Sequence, residues 1–293
     1  MMINRSERLL LVKDKRPQWL RKKIDFAACR SIDALTRELR LHTVCREAFC
    51  PNISDCFNNG VATFLILGNT CTRDCRFCAV PKGAPQGIDA DEPRRVAEAV
   101  RRLSLEHVVI TSVTRDDLPD GGAEMFAETI RLIRAIRDGM TIEVLVPDFQ
   151  GSAESVRIVI DAHPEVFAHN LETVPRLYKA ARGKASYSRS LCVLKTAASL
   201  RDDIFIKSGI MLGLGEREEE VLGVFDDLRS TRCQFLSIGQ YLSPSERHLP
   251  VHEYVPPERF EYYKARAIEK GFLAVASGPY VRSSYLAHQY LSR

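Results

Sequence analysis

The sequence predicts an α/β fold, specifically a partial (β/α)6 barrel of the TIM type whose mouth is closed by N- and C-terminal extensions. Short apolar runs alternate with segments of helical periodicity, which is typical of parallel strands covered by helices. The chain has 293 residues and is 45% hydrophobic, enough for one barrel-sized core. We therefore expect one compact domain in three parts, namely an N-terminal extension over residues 1–60, the barrel over 61–255 and a C-terminal extension over 256–293.

Each element of the barrel has its own signal in the sequence. Residues 61–68 form an apolar run that is rich in β-branched and aromatic residues and ends at a glycine, which predicts the first buried strand. Further strands are predicted at residues 107–113, 142–149, 166–172, 206–215, 235–242 and 272–278. Apolar residues at three- and four-residue spacing predict helices at residues 93–103, 124–136 and 257–270, and two short helical patterns lie within residues 17–56.

Composition excludes several classes of function. With 42 basic and 38 acidic residues the net charge is only +4, so the chain lacks the field that drives nucleic-acid binding. No segment supplies the roughly 18 uncharged apolar residues of a membrane span. The basic stretch at residues 5–23 contains acidic residues and lacks an apolar core, so it predicts neither a signal peptide nor a transit peptide. We expect a cytoplasmic protein, because a reducing compartment keeps thiolates available for metal.

Six of the nine cysteines form two groups of three between residues 45 and 78. The second group, CTRDCRFC, follows the first predicted strand and contains Cys71, Cys75 and Cys78. Three thiolates can hold three irons of a [4Fe-4S] cluster and leave the fourth iron open to the amino and carboxylate groups of a small ligand. Zinc would need a fourth ligand and usually shows paired CxxC spacing. This motif resembles that of the radical S-adenosylmethionine superfamily.

The first group lies in CREAFCPNISDC, a turn-rich loop that contains Cys45, Cys50 and Cys56. Taken alone, this spacing fits a zinc loop or scattered free thiols as well as it fits a cluster site. Together with the second group it resembles the lipoyl synthase family. The resemblance runs from about residue 39 to residue 285 and is supported by matching strings at residues 108–123, 169–178, 213–216, 239–250 and 276–285. The remaining cysteines, Cys29, Cys192 and Cys233, are predicted to be buried or partly buried free thiols.

The resemblance implies a second, auxiliary [4Fe-4S] cluster whose fourth ligand is a serine. We carry that role to Ser284, within the string from Arg282 to Tyr285; adjacent Ser283 is the alternative, since spacing cannot separate two neighbouring hydroxyls. An isolated Ser-Ser pair would otherwise cap or hydrogen-bond a surface tail. Alkoxide is a harder donor than thiolate, so its iron should be the easier one to release. For this ligand set to form, the two ends of the chain must meet over the barrel mouth.

The resemblance also implies an activity and its partners. The implied enzyme is a radical S-adenosylmethionine sulfurtransferase, which inserts two sulfur atoms at C6 and C8 of a protein-bound N6-octanoyl-lysine. S-adenosylmethionine would be cleaved at the cluster of the second cysteine group, and the auxiliary cluster would supply the sulfur. Expected partners are octanoylated carrier domains of 2-oxoacid dehydrogenase E2 subunits and of the glycine cleavage H protein, a ferredoxin or flavodoxin as electron donor, and iron-sulfur carrier proteins; nucleic acid and membranes are not expected.

Three polar side chains at predicted strand ends are candidate contacts for S-adenosylmethionine. Asn170 and Glu172 end an apolar strand and can bind an ammonium group or ribose hydroxyls. Glu216 is the third candidate, although it precedes an acidic run where carboxylates also suit a helix N-terminus and solvent. His169 fits a hydrogen-bonded strand-end histidine and receives no catalytic role.

Several charged residues could contact the substrate, although each also has an ordinary structural explanation. Asp116 and Asp117 could line the substrate mouth, or simply belong to the turn before a helix. Lipoyl carrier domains are commonly acidic, so Arg247, His248 and Arg282 are candidate carrier contacts, with solvated surface charge as the alternative. The sequence departs from the family pattern at Phe57, where tryptophan is expected, and in the tail at residues 286–293.

Two other functions remain open at this point. Another radical enzyme with two clusters, of the biotin synthase or methylthiotransferase type, would share CxxxCxxC but is not expected to combine the first cysteine group with the Arg-Ser-Ser-Tyr string. A zinc-binding scaffold without enzymatic activity is the alternative from a different class.

Overall fold

The structure is a computed structural model that describes residues 17–21, 30–48, 50, 52–58, 63–136, 139–285 and 287–291. The strands, in chain order, are β1 (His42–Thr43), β2 (Thr63–Ile66), β3 (His107–Ser112), β4 (Thr141–Leu145), β5 (Val166–Ala168), β6 (Phe205–Leu212), β7 (Phe235–Gln240) and β8 (Ala274–Gly278). The helices are α1 (Arg30–Glu38), α2 (Val44–Glu47), α3 (Ile53–Asn58), α4 (Glu92–Leu103), α5 (Ala123–Arg134), α6 (Ala153–Asp161), α7 (Pro175–Arg182), α8 (Tyr187–Leu200), α9 (Glu218–Ser230) and α10 (Pro257–Glu269). Short 3₁₀ turns lie at Gln18–Leu20, Phe149–Gly151 and Ala287–Tyr290.

The strands form one sheet in chain order, β1 to β8. All neighbours are parallel except β1, which pairs antiparallel with β2. In the part of the chain that the structure describes, β8 does not pair with β1, so the barrel is open as predicted. The six parallel strands β2 to β7 form its core, and each extension adds one strand to an edge.

Alternate side chains of each strand point to opposite faces of the sheet. One face packs against the helices; Ile110 and Ile142 lie there, against Phe126 and Ile130 of α5. The other face lines the lumen of the open barrel. Near the amino ends of the strands, Val166, Phe235 and Ala274 form a separate apolar cluster around Tyr290 of the C-terminal tail. The end of the chain therefore packs against the amino ends of these strands.

Three predicted strands end earlier than expected. The predictions extended to residues 149, 172 and 215, whereas β4 ends at Leu145, β5 at Ala168 and β6 at Leu212. The apolar residues beyond these ends, such as Val146, Phe149 and Leu171, belong to loops that fold back into the core. These loop residues are buried but do not pair in the sheet, so their apolar character led to strands that were predicted too long.

Other expectations have mixed outcomes. Cys233 is buried and its thiol donates to the carbonyl of Phe235 at 3.3 Å, which confirms a buried free thiol. The prediction of burial was wrong for Cys192, which is a free thiol on the exposed side of α8. Cys29, the Phe57 side chain and most of residues 5–23 lie outside the described residues. Among the described residues, no helix is both long enough and apolar enough to cross a membrane.

Candidate functional site

Polar motifs follow five of the parallel strands and lie at one rim of the barrel, as predicted. CTRDCRFC follows β2, TRDD follows β3, HNLET follows β5, GLGE follows β6 and a Gln-Tyr-Leu segment ends β7. Carboxyl ends of parallel strands meet at the same edge, which is where β/α barrels carry their chemistry. The candidate site is therefore this rim.

The loop of the second cysteine group is closed on itself just after β2. The amide of Cys71 donates to the carbonyl of Pro81 at 2.8 Å, and Gly83 donates back to Cys71 at 3.0 Å. Upstream, the carboxylate of Glu92 accepts from the amide of Leu67 at 2.6 Å, where the backbone turns with a positive φ of 66°. A buried carboxylate thus fixes the point at which the chain leaves the strand.

Backbone hydrogen bonds tie the same loop to three neighbouring loops. The amide and the hydroxyl of Thr72 both donate to the carbonyl of Thr114, at 3.1 and 2.9 Å. Arg76 donates to Ala181 at 2.9 Å and accepts from Leu249 at 3.0 Å. The cysteine loop is therefore fixed to the loops that follow β3 and β7 and to the last turn of α7.

A buried arginine within CTRDC adds an ion-pair network. Arg73 donates to both oxygens of Asp116, at 2.7 and 2.8 Å, and to Asp148 at 2.6 Å. Asp148 is fully buried and also faces Arg189 at 3.3 Å. Burial alone would raise the pKa of Asp148, but the hydrogen bond and charge of Arg73 lower it to about 2. The network connects the cysteine loop to the carboxyl ends of β3 and β4.

The two aspartates predicted for the substrate mouth divide between different arginines. Asp116 pairs with Arg73 and also lines a cavity of about 380 Å³ at the ends of β3 and β4. Asp117 is exposed and pairs with Arg115 at 2.8 Å. Asp116 thus has a structural contact as well as a position at the rim, whereas Asp117 lies on the outer side of its turn.

The thiols of Cys71, Cys75 and Cys78 are half-buried and lie close enough to influence one another's ionisation. Burial, together with the nearby charges of the other two thiolates, raises the pKa of Cys78 to about 11. Burial also raises the pKa of Cys75, which the guanidinium of Arg182 opposes. Because metal binds thiolates, a cluster must displace these protons when it binds. A set of three soft donors on one loop fits a [4Fe-4S] cluster with one open iron.

Arg182 at the end of α7 was not predicted from the sequence. Its Nη1 donates to the carbonyl of Asn170 at 2.9 Å and to the hydroxyl of Tyr178 at 2.7 Å, and its side chain also bonds the Cys75 thiol. Its buried Nε has no hydrogen-bond partner among the described residues. In the sequence, Arg182 precedes a glycine at the end of a basic helix, a context that signals a helix end and nothing more.

The first cysteine group gathers in the N-terminal extension. Cys45 on α2 and Cys56 on α3 are buried together with Ile32, and Cys50 packs against them. Burial raises the pKa of Cys45, and the thiolates of Cys50 and Cys56 raise it further, as expected for three neighbouring thiols. Among the described residues, no three Cys, His, Asp or Glu side chains lie close enough to bind a single metal ion. Thiols that hold separate irons of a cluster need not lie that close.

The two ends of the chain meet at this group, as predicted. Tyr285 packs against the buried cysteines, and the charge of Arg282 interacts with Cys50. The side-chain amide of Asn52 donates to the carbonyl of Tyr280 at 2.6 Å. The Arg-Ser-Ser-Tyr string therefore lies beside the first cysteine group.

The two adjacent serines have different surroundings. The hydroxyl of Ser283 donates to Oδ1 of Asn170 at 3.1 Å, which turns it toward the end of β5. Ser284 is half-buried, and its hydroxyl has no hydrogen-bond partner among the described residues. The string thus connects the first cysteine group to the strand-end residues.

The candidate contacts for S-adenosylmethionine lie at two neighbouring strand ends. Asn170 donates from Nδ2 to Glu172 at 3.2 Å, and Glu172 has a positive φ of 70° that breaks the line of β5. Burial raises the pKa of Glu172, although Arg182 opposes the shift. Glu172 influences the thiols of Cys75 and Cys78, so it lies near the second cysteine group.

Glu216 stabilises its own turn. Its carboxylate accepts from the amides of Gly213 and Leu214, at 2.9 and 3.0 Å, and from the hydroxyl of Thr173 at 3.2 Å. The side chain is half-buried, so the expected alternative of a solvated carboxylate at the helix start does not describe it. The turn after β6 and the loop after β5 are therefore joined through Glu216.

His169 is buried and fully hydrogen-bonded. Nδ1 contacts the carbonyl of Val146 at 2.8 Å and Nε2 the hydroxyl of Ser190 at 2.9 Å. Burial lowers its pKa to about 4, so the imidazole is neutral. The expectation of a structural strand-end histidine is confirmed.

The candidate carrier contacts differ in exposure. Arg247 is exposed, in keeping with either a solvated charge or a docking contact. His248 instead reaches the cysteine loop, with Nε2 3.0 Å from the carbonyl of Cys78 and Nδ1 2.8 Å from the hydroxyl of Ser245. Arg282 is half-buried beside the first cysteine group, where burial lowers its pKa. Of these three candidates, Arg247 is the one whose side chain makes no structural contact among the described residues.

Comparisons with known proteins agree with this geometry. The model of the Radical SAM superfamily matches residues 65–228. A lipoyl synthase of Geobacter metallireducens is 58% identical over 276 residues, covering 94% of this chain and 97% of the relative. A lipoyl synthase of Caldanaerobacter subterraneus subsp. tengcongensis is 55% identical over 278 residues, covering 95% of this chain and 98% of the relative.

Solved structures are similar in fold at low sequence identity. The crystal structure of HydG, a maturase of the [FeFe]-hydrogenase, aligns with a TM-score of 0.57 at 14% identity, over 74% of this chain and 56% of that chain. The structure of Streptococcus suis SuiB bound to precursor peptide SuiA aligns with a TM-score of 0.58 at 11% identity, over 93% of this chain and 59% of that chain. These similarities establish the open barrel and carry no information on substrate.

Proposed function

The chain belongs to the lipoyl synthase family of the Radical SAM superfamily, and we propose that it inserts two sulfur atoms at C6 and C8 of an octanoyl chain amide-linked to a carrier lysine. The family assignment makes it a radical S-adenosylmethionine sulfurtransferase of lipoate biosynthesis that uses [4Fe-4S] and S-adenosylmethionine. The observation that carries the finer proposal is the meeting of the first cysteine group with the C-terminal Arg-Ser-Ser-Tyr string. The second cysteine group lies on the carboxyl rim of the barrel, so the chain carries two separate groups of three thiols.

The two donor sets support two [4Fe-4S] clusters with different tasks. We assign the cluster that binds S-adenosylmethionine to the group of Cys71, Cys75 and Cys78, whose loop offers three thiolates and leaves one iron open. We assign the auxiliary cluster to Cys45, Cys50 and Cys56, with Ser284 as its fourth ligand. When bound, these groups supply the reaction itself: two one-electron cleavages of S-adenosylmethionine remove one hydrogen atom each from C6 and C8, and two sulfides of the auxiliary cluster replace them.

The choice of Ser284 over Ser283 is supported by hydrogen bonding. Ser283 is engaged with Asn170 at 3.1 Å, whereas the half-buried hydroxyl of Ser284 has no partner among the described residues. Tyr285, the next residue, packs against the buried thiols of the first group. These contacts support Ser284 as the ligand, because it adjoins Tyr285 and its hydroxyl is not engaged elsewhere among the described residues.

The protein's own groups would bind and orient S-adenosylmethionine at the second cysteine group. Asn170, Glu172 and Glu216 are the proposed contacts, because the first two lie beside Cys75 and the third closes the adjacent turn. Arg182 adds a fixed positive charge and an unpaired buried N–H beside Cys75. Such a donor suits a carboxylate or the sulfur of a thiolate.

The partners follow from the proposed substrate and cofactors. Octanoylated carrier domains, such as those of E2 subunits and the H protein, would present the acyl chain to the rim, where exposed Arg247 could meet an acidic surface. A ferredoxin or flavodoxin would deliver electrons, and iron-sulfur carrier proteins would rebuild the auxiliary cluster.

A single assay tests substrate, product and sulfur source. The anaerobically purified protein is incubated with an octanoylated carrier, S-adenosylmethionine and a reductant, and the carrier is weighed by mass spectrometry. We expect a carrier mass that has gained two sulfur atoms, as the dithiol that forms under reducing conditions; the loss of two hydrogen atoms should follow only when that dithiol is oxidised to the disulfide in air. No gain would reject the proposed reaction, and a gain of one sulfur that does not advance to two with excess S-adenosylmethionine would indicate a different sulfur-inserting enzyme.

Metal analysis and a serine variant test the cofactor assignment. We expect about eight irons per chain with matching sulfide, as two cubane clusters require; zinc without sulfide would favour a scaffold.

Ser284→Cys should keep the auxiliary cluster and lower turnover, because a thiolate holds iron more firmly than an alkoxide does. Ser283→Cys is the matched control, and equal activity in both variants would argue against Ser284.

A further inference from the structure

The C-terminal tail, defined here as the described residues 281–285 and 287–290, lies along strand β7 inside the barrel lumen. At the carboxyl end of β7, a Cβ atom on Gly239 would lie 2.1 Å from the carbonyl oxygen of Val281, so only glycine allows the tail to pass. At the amino end, the ring of Tyr290 lies 5.2 Å from that of Phe235, and its hydroxyl donates to the carbonyl of Leu236 at 3.2 Å. The tail thus spans the length of the strand.

Tyr290 rests on a buried ion pair at the far end of the lumen. Lys207 Nζ lies 4.3 Å from the centre of the Tyr290 ring and donates to both oxygens of Glu143, at 2.9 Å each. Lys207 and Glu143 are fully buried, and Tyr290 is 7% exposed. A cation over an aromatic face is held most strongly when it is removed from water. The ring therefore has a specific, desolvated seat.

The rim end of the same tail carries the serine string. The string lies between Val281, which passes Gly239, and Tyr290. Here the hydroxyl of Ser283 donates to Asn170, and Tyr285 packs against the first cysteine group. Only Leu286, which lies outside the described residues, separates Tyr285 from the 3₁₀ turn that ends at Tyr290. Because this connection is short, a displacement of Tyr290 would be transmitted to Ser284.

We propose that Tyr290 is a positioning residue whose ring, seated on the Lys207–Glu143 pair, holds the serine string against the first cysteine group. The anchor lies outside the Arg-Ser-Ser-Tyr string, near the end of the described tail. The anchoring itself is independent of the reaction; only its consequence for a cluster rests on the proposed function of Ser284.

The test compares Tyr290→Ala with Tyr290→Phe in anaerobically reconstituted protein. Alanine removes the ring, whereas phenylalanine keeps the ring on Lys207 and loses only the bond to Leu236. Tyr262→Ala is the control, because Tyr262 lies on the outer helix α10 and bonds Glu218. The measurements are hydrogen exchange of a peptide covering residues 279–285 and the rates at which a maleimide labels each cysteine.

In Tyr290→Ala we expect exchange of the 279–285 peptide and labelling of Cys45, Cys50 and Cys56 to rise about tenfold or more, because a buried aromatic is lost. Labelling of Cys71, Cys75 and Cys78 should stay within about twofold, since their loop is fixed independently. Tyr290→Phe should lie near wild type, and Tyr262→Ala should change neither measurement.

Unchanged exchange and labelling in Tyr290→Ala would overturn the proposal, and so would an equal rise at all six cysteines. If the alanine variant does not fold, Tyr290→Leu fills much of the lumen without a cation–π contact and must show the same selective rise. This outcome can be distinguished from that of the carrier assay. If Tyr290→Ala exposes the first cysteine group selectively but wild type inserts no sulfur, the anchoring role of Tyr290 stands and the proposed function fails. If wild type inserts sulfur but Tyr290→Ala exposes no cysteine selectively, the function stands and the anchoring role fails.

Discussion

The two cysteine groups are held in the molecule in different ways. The loop of Cys71, Cys75 and Cys78 is bonded through its backbone to neighbouring loops and contains the buried Arg73 network. The first group lies on α2 and α3, helices of 4 and 6 residues. Helices this short have little stability of their own. Their buried contacts include Tyr285 and the Asn52 bond to Tyr280, both from the other end of the chain.

This difference matches the tasks assigned under the proposed function. A cluster that cleaves S-adenosylmethionine in every cycle needs ligands that keep their geometry, and a loop built into the barrel provides that. A cluster that gives up sulfur needs ligands that can part and close again. Segments held by packing between chain ends open at lower free energy than core elements do. On this proposal, the more stable region holds the cluster that is retained, and the less stable region holds the cluster that is consumed.

The largest expected effect comes from breaking the network of the second group. In Arg73→Met the fully buried Asp148 loses its closest cation and keeps only the longer contact with Arg189 and the amide of Gln150, so the free energy of unfolding should fall by about 3 kcal/mol. Urea unfolding of the anaerobic protein measures this loss. Maleimide labelling should rise more at Cys75 and Cys78 than at Cys45.

Arg247→Met is the matched control, because this arginine is exposed. Its unfolding midpoint should equal that of wild type. If Arg73→Met raised labelling equally in both cysteine groups, the second group would not be an independently stabilised unit, and the contrast between the two regions would fail.

The same network should make stability depend on pH. The pKa of Asp148 is lowered from 3.8 to about 2 in the folded protein, so its ionised form stabilises the fold above the unfolded value, and this stability is lost as pH falls toward 2. The full contribution is about 2 kcal/mol, of which roughly half should be lost by pH 3. Urea midpoints at pH 6 and pH 3 test this.

Asp148→Asn isolates that contribution, since the amide cannot titrate. The difference in stability between wild type and this variant should shrink by about 1 kcal/mol from pH 6 to pH 3. A difference that stays constant with pH would mean that Asp148 is not ionised by its contact with Arg73 in the way described.

The sequence predicted the second region better than the first. Alternating apolar runs and helices were enough to predict the open barrel, and a motif placed after a strand must lie at the rim. The resemblance named the cysteines and Ser284, and it required the chain ends to meet, which they do. Their roles as ligands remain proposals.

What the sequence did not predict depends on contacts between distant segments. Arg73, Arg182 and the Lys207–Glu143 pair are ordinary charged residues in the sequence, and their importance arises from burial opposite partners on other strands or loops. Strand ends were overestimated because apolar loop residues such as Phe149 are buried without pairing. The position of the C-terminal tail in the lumen has no signature in the local sequence, because Tyr290 contacts residues from β4, β6 and β7.

A smaller effect is expected where the first group is joined to the C-terminal extension. Asn52→Ala removes the 2.6 Å bond to Tyr280 and should cost about 1 kcal/mol, since a typical buried hydrogen bond contributes that much. Iron and maleimide labelling should change at Cys45, Cys50 and Cys56 only. Asn52→Asp keeps the shape but loses the donor, so it should behave similarly; iron loss from both groups alike would contradict the local role.

The smallest effect concerns His248, where two explanations predict different results. The 3.0 Å contact with the carbonyl of Cys78 indicates that the imidazole steadies the cysteine loop, so His248→Ala should cost about 1 kcal/mol or less and raise hydrogen exchange around residues 78–80 severalfold. His248→Gln can still donate to that carbonyl and should restore much of the protection. A carrier contact would instead raise the KM for the carrier while exchange at the loop stays unchanged. Arg247→Ala separates the two explanations, because this exposed neighbour can meet a carrier but does not reach the cysteine loop. If Arg247→Ala changes the KM for the carrier and His248→Ala changes hydrogen exchange of the loop, Arg247 contributes to docking and His248 to the geometry of the loop.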